Sequence, residues 1–165
     1  VGAEDRSKMS IDAAFLAPFV TGVVEVFQMQ SGIKVEKQSP FAKPKGFDSE
    51  IGIAGVISLD SAQFKGTIAV CFPKQVFLDI YEAMLGESHS ELGSEVQDGA
   101  AEILNMVYGQ AKTVLKQKGF ELEKAIPTVM LGDNMRVHFI NEGKSIIVPF
   151  KTDFGTFHLE IIIQN

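Results

Sequence analysis

One polar row in the segment Ser94–Gly119 has residue types suited to chemistry. Asp98, Glu102, Asn105, Gly109 and Lys112 follow one another at steps of four, three, four and three. On a helix those steps stack side chains along one stripe. The stripe then holds two carboxylates, an amide, a bare backbone position and an ammonium. An Asn amide has one acceptor and two N–H donors, and it does not titrate. It can hold a water in place, but it is no strong general base. Asn and Gly are also poor helix-interior residues, yet both fall mid-segment on this row. A polar row on an amphipathic helix is ordinarily a solvated face. The sacrifice of helix propensity asks for a further reason.

The segment that carries the row has the marks of one long helix. Val96, Ala100, Ile103, Val107, Ala111 and Val114 recur at steps of three and four and form its apolar face. Ser94 with Gln97 fits a capping box. Lys116 and Lys118 suit the last turn, and Gly119 suits the left-handed position after it.

Other elements must hold this helix. The spacing predicts a first helix from about Ser10 or Asp12 to Ser31, with Gly32 at its end. Its stripe is Ile11, Phe15, Phe19, Val23, Val26 and Met29 or Gln30, and Pro18 predicts a kink. Residues 1–8 are polar and patternless and read as a disordered extension or a cloning remnant, with the domain at 9–165. Strands are expected at Ile33–Gln38, Glu50–Leu59 and Phe64–Phe72, the last two joined across Asp60–Gln63. Pro40–Gly46 reads as a loop. Pro73 opens a second helix in its first turn and Gly86 closes it. Further strands are expected at Thr128–Leu131, Arg136–Ile140, Ser145–Phe150 and Phe157–Ile163. Gly132-Asp-Asn and Asn141-Glu-Gly read as turns. The order implies a single α+β domain: a mainly antiparallel sheet with the long motif-bearing helix and a second long helix packed on a face.

Composition narrows the function. The chain has 165 residues, a net charge of −6 and only two arginines, which disfavours a nucleic-acid surface. No apolar run approaches the ~20 residues of a membrane span, and no signal peptide opens the chain, so a cytoplasmic protein is expected. Cys71 is the one cysteine and reads as a buried small hydrophobe. His89, His138 and His158 show no ligand spacing, so no metal site is expected on this chain. Asp153-Phe154-Gly155 matches a kinase triplet but lacks the accompanying motifs, and it reads as a hairpin turn.

The full pattern Asp98-x-x-x-Glu102-x-x-Asn105-Met106-x-x-Gly109 resembles the active-site helix of the CheC/CheX/FliY chemotaxis phosphatases. It is most similar to CheX, which has one such helix. Phe64-Lys-Gly-Thr-Ile-Ala-Val, Ala83-Met-Leu-Gly86 and Pro127-Thr-Val with Gly132 extend the resemblance over most of residues 9–165. Leu104 departs from the pattern, which has a small residue before the Asn. The resemblance implies hydrolysis of the phospho-aspartate of a CheY-type response regulator, whose acidic cluster holds the Mg²⁺. It implies that Asn105 positions the attacking water and that Glu102 pairs with a cation of the regulator's active site. Ala100, Ala101 and Gly109 would let the partner backbone come close, with Tyr108 and Lys112 as further docking contacts. Asp98 reads either as a docking contact or as a first-turn charge facing the helix dipole. The resemblance also implies a homodimer formed through the sheet, and the apolar run Leu159–Ile163 reads as a poor exposed edge. A non-catalytic binding or assembly module with the same fold is the competing expectation.

Overall fold

The computed structural model describes residues 3–47, 49–62, 64–137 and 145–164. In chain order the elements are α1 (Ala3–Ser31), β1 (Glu36–Lys37), β2 (Phe41–Ala42), β3 (Ile51–Asp60), β4 (Lys65–Phe72), α2 (Lys74–Leu85), α3 (Ser94–Gln117), β5 (Thr128–Met135), β6 (Ser145–Thr152) and β7 (Gly155–Gln164). The strands form one antiparallel sheet in the order β1-β6-β7-β4-β3-β5, and β2 pairs with β6 as well. The expected α+β architecture is therefore present. No helix among the described residues is long and apolar enough to cross a membrane.

Alternation decides which side of the sheet the helices cover. Ile53, Ile57 and Leu59 of β3, Ile68, Val70 and Phe72 of β4, and Phe157, Leu159 and Ile161 of β7 all join the helix-side core. Phe15, Phe19, Val23, Val26 and Phe27 of α1 meet them. Phe157 stacks on Phe72 at 4.7 Å and on Phe150 at 5.2 Å, joining three strands through their rings. Each large apolar side chain fully buried in this way contributes about 1.5–3 kcal/mol.

Two glycines bring α3 close to its neighbours. A Cβ on Gly55 of β3 would lie 2.8 Å from Leu104 Cδ2, so the bare strand position makes room for that leucine. A Cβ on Gly22 of α1 would lie 3.2 Å from the Val107 carbonyl oxygen, so α1 and α3 pack nearly backbone to backbone.

The other face of the sheet is built from small residues. Ala54, Ala69 and Cys71 cluster there with Ile51 and Val137. Lys43 reaches over this face and donates to Glu160 Oε1 at 2.9 Å and to the Val137 carbonyl at 2.7 Å. Glu160 is 1% exposed, so this ion pair is buried. Phe47 meets His158 edge to face at 5.7 Å. Burial, then the Glu160 charge, pushes the Cys71 thiol up to about 12. Burial, then the Lys43 charge, holds His158 down at about 4.

Several sequence expectations change. α1 begins at Ala3, so residues 3–8 continue the helix rather than precede it, and the helix runs unbroken through Pro18. Met29 is 72% exposed and lies off the buried stripe. Of the expected 33–38 strand only Glu36–Lys37 is strand, with the Gln38 N–H donating to the Pro149 carbonyl beside it, and the loop after it contains β2. Pro73 is the N-cap of α2 rather than its first residue. Gly132-Asp-Asn is not a turn but lies inside β5. There the register jumps from Ile53↔Leu131 to Ile51↔Met135, with Asn134 at φ 48°. The extra residues form a bulge at a sheet edge, where bulges blunt pairing with other chains. Arg136 and Val137 are outside the strands, and residues 138–144 of the expected strand and turn lie outside the described residues. β7 is no edge: it runs between β4 and β6, and Ile162 is buried.

The buried His158 predicts a pH dependence. Its folded pKa of about 4 lies below the usual 6.5, so between those values only the unfolded chain takes up the proton. Stability then falls as pH drops from 6.5 towards 4, by about 3 kcal/mol in full. Urea midpoints measured from pH 7 to pH 4.5 should decline in the wild type and decline less steeply in His158→Phe. Equal slopes would rule His158 out as the cause.

Candidate functional site

α3 is set by its two ends and its buried face. Its N-cap is Gly93, with no side-chain cap, so Ser94 is the first helical residue and not the expected cap. Gln97 does reach back, but it donates to the Leu92 carbonyl at 3.0 Å. At the other end Gly119 adopts φ 90°. Its N–H donates to the Lys116 carbonyl, and the Phe120 N–H donates to that of Leu115, which is a Schellman closure. Val96, Ala100, Ile103, Leu104, Val107, Tyr108, Ala111 and Leu115 are buried.

The opposite side carries the stripe. Asp98, Glu102, Asn105 and Gly109 are all exposed on α3. Glu102 and Asn105 stand one turn apart, about 5–6 Å between their Cβ atoms. Among the described residues neither side chain has a hydrogen-bond or ion-pair partner, so both are free to engage another molecule. A Cβ on Gly109 would meet nothing within 4 Å, so a partner can approach the backbone there. Ala101 and Lys112 flank the stripe half-buried.

One expected site residue falls elsewhere. Tyr108 is 5% exposed, and its hydroxyl donates to the Glu123 carbonyl at 2.6 Å, so it anchors the chain after α3 instead of offering a docking contact. Burial raises its phenol pKa. Asp98 lies in the second turn, and the first-turn acid is Glu95. A dipole role fades beyond the first turn, so Glu95 rather than Asp98 is placed to face the helix dipole. Leu104 is 1% exposed over Gly55, so its bulk points into the core and not towards a partner.

The acidic end is wider than the stripe read from sequence. Burial raises the Tyr81 phenol pKa, and the Glu95, Glu87 and Asp98 charges raise it further. The signal for Glu95 was present as the i, i+3 step to Asp98. The signal for Glu87 was not, because it sits in the link before α3.

The fold and the exposed stripe define a CheC-like α+β domain. The model of the family described as chemotaxis phosphatase CheX matches residues 53–151. CheX from Vibrio vulnificus is 31% identical, with 91% of this chain and 99% of that one covered at a TM-score of 0.85. A CheC-like superfamily protein from Shewanella sp. PV-4 is 30% identical, with 92% and 98% covered at a TM-score of 0.86. The Borrelia burgdorferi CheX–CheY–BeF3–Mg²⁺ complex contains a chain 22% identical, with 92% and 98% covered at a TM-score of 0.76, which shares the fold. No curated protein matches the chain. The chain belongs to the chemotaxis phosphatase CheX family.

Two glycines of α3 should respond oppositely to alanine. Gly109→Ala enters open space and should gain up to about 1 kcal/mol of helix propensity. Gly99→Ala would put a Cβ 2.5 Å from Tyr81 Cε2, inside a buried contact with α2. That overlap should cost about 1–3 kcal/mol. Urea unfolding of the two variants gives the sign of each, and a destabilised Gly109→Ala would contradict the open position.

Proposed function

We propose that this chain is a phosphatase for the phospho-aspartate of a CheY-type response regulator. The observation that carries the reading is the adjacent, exposed and uncommitted pair Glu102 and Asn105, on the helix whose pattern matches this family. The CheY-bound Borrelia burgdorferi relative, which shares the fold, supports the choice of partner.

In the proposed reaction the oxygen of a water attacks phosphorus in line with the acyl-phosphate bond. The P–O bond to the aspartyl carboxylate breaks, and the bond electrons stay on the carboxylate. Inorganic phosphate takes up the new oxygen, and a proton is released. Catalysis of phosphoryl transfer rests mainly on positioning and charge. The Asn105 carbonyl oxygen accepts a hydrogen bond from the attacking water and sets its approach. Glu102 pairs with a cation at the regulator's site and aligns the two proteins before the chemistry begins. Asp98 extends that acidic contact, Ala101 and Gly109 keep the approach open, and Lys112 borders it. The Mg²⁺ the reaction uses belongs to the regulator's own acidic cluster.

The division of labour has distinct kinetic signatures. Asn105→Ala should lower kcat roughly 10²-fold with little change in regulator affinity, and its stability should rise by a few tenths of a kcal/mol. Glu102→Ala should raise KM as well as lower kcat. Asp98→Ala should have the smallest effect, because it stands farthest from the water. The measurement is dephosphorylation rate against regulator concentration for the three variants, with unfolding midpoints alongside. Near wild-type turnover in a folded Asn105→Ala protein would overturn the water-positioning role of Asn105, and a wild type that acts only stoichiometrically would favour the alternative, a binding or assembly module.

The family resemblance also supports a homodimer. With β7 inside the sheet, the long edge strand among the described residues is β5, whose Met130 and Leu131 are 39% and 40% exposed but whose bulge disfavours direct strand pairing, so the expected contact is through side chains. Sedimentation at micromolar concentration should give twice the 18.0 kDa chain mass. A monomer at that concentration would count against the dimer.

A further inference from the structure

The link between α2 and α3 brings together three metal-ligating side chains that no His spacing in the sequence foretells. Glu87 and His89 stand two residues apart in the link, and Glu95 lies in the first turn of α3. One ligand atom from each lies within 4.8 Å of the other two. The histidine atom on the inside is Nε2. It is shut off from solvent and has no hydrogen-bond partner, and Glu87 Oε2 is 3.6 Å away. That distance is too long for a hydrogen bond. It is close to the roughly 3.4 Å that separates two ligands on one tetrahedral ion with bonds of about 2.0–2.2 Å.

The imidazole is also held in place. The Tyr81 ring meets His89 edge to face at 5.3 Å. Tyr81 is itself buried, and its hydroxyl donates to the Glu95 carbonyl at 3.4 Å. The same ring therefore contacts the histidine and the backbone of the third ligand. The Glu87 side chain is 66% exposed and free to swing inward.

We infer that Glu87, His89 and Glu95 bind one divalent transition-metal ion of the Zn²⁺ class, with water completing its coordination. An imidazole ligand favours such ions over Mg²⁺ and Ca²⁺, which take oxygen ligands. The ion would tie the α2–α3 link to the first turn of α3. It would also neutralise two of the carboxylates next to Asp98. This site is separate from the regulator's Mg²⁺, and the inference does not depend on the phosphatase reading.

The test is calorimetric titration of ZnCl₂ into the chelator-treated chain, with thermal melts at each metal concentration. One ion per chain should bind and raise Tm, as binding to the folded state alone must. His89→Gln should weaken binding at least about tenfold, and Glu95→Gln should weaken it as well. MgCl₂ at the same concentration should do neither. Circular dichroism checks the fold, and the Glu95→Gln result decides if His89→Gln does not fold. Absence of saturable Zn²⁺ binding would overturn the site. So would binding unchanged in the folded variants, or Mg²⁺ binding as tightly as Zn²⁺.

Discussion

The seating of α3 governs what this molecule shows to other proteins. Three neighbours fix the rotation of the helix at points where a side chain is missing. Leu104 fills the space over Gly55 of the sheet, Val107 meets Gly22 of α1, and Tyr81 of α2 lies against Gly99. Successive residues of a helix point about 100° apart, so a slip of one residue would break all three contacts. It would also carry Asn105 away from the surface. Burial explains why the helix tolerates its weak residues. Each of Ile103, Leu104 and Val107 contributes about 1.5–3 kcal/mol by leaving water. Gly109 costs about 1 kcal/mol of propensity and Asn105 less. The apolar face sets the helix, and the exposed row is left free to carry residues chosen for other reasons.

Legibility in the sequence followed the strength of local signals. The apolar period of α3, the Gly119 end and the β3–β4 hairpin could be read because each depends on residues close in the chain. The Asp153–Phe154 turn belongs with them: Thr152 Oγ1 accepts from the Phe154 N–H at 3.1 Å, and Gly155 takes a positive φ. The misreadings came from tertiary context. Tyr108 sits on the border of the apolar face, and it turns inward to pack in the core and bond the Glu123 carbonyl. Gly132-Asp-Asn has turn chemistry, yet pairing with β3 keeps it in a strand as a bulge. β7 looked like an edge because its neighbours, β4 and β6, cannot be ordered from its own sequence. Of the candidate site, the stripe was legible as a helical period, whereas Glu87 and His89 come to it only through the fold of a link.

The two faces of the sheet are held by different physics. The helix side is apolar and tightly packed, with Phe157 between two other rings. The outer side uses alanines and a cysteine, which leave room for Lys43 and Phe47 to lie on it. Charge then fixes Lys43 in one place. Lys43 can satisfy Glu160 and the Val137 carbonyl together only in one position. A buried pair of this kind adds little net stability because both charges lose water, but breaking it leaves one charge stranded. It therefore acts more to select an arrangement than to strengthen it, and His158 and Cys71 stay uncharged beside it.

The central position of β7 has a consequence for how the chain is made. During synthesis β3 and β4 leave the ribosome as a hairpin with one side of β4 unpaired, and α2, α3, β5 and β6 all follow before β7 arrives. Until then β4 offers an open row of backbone donors and acceptors, and β6 lacks the neighbour that joins it to the rest of the sheet. Closure depends on contacts far apart in sequence, which form slowly and leave strands exposed in the meantime. The β6–β7 hairpin is thus the unit whose pairing with β4 completes the sheet.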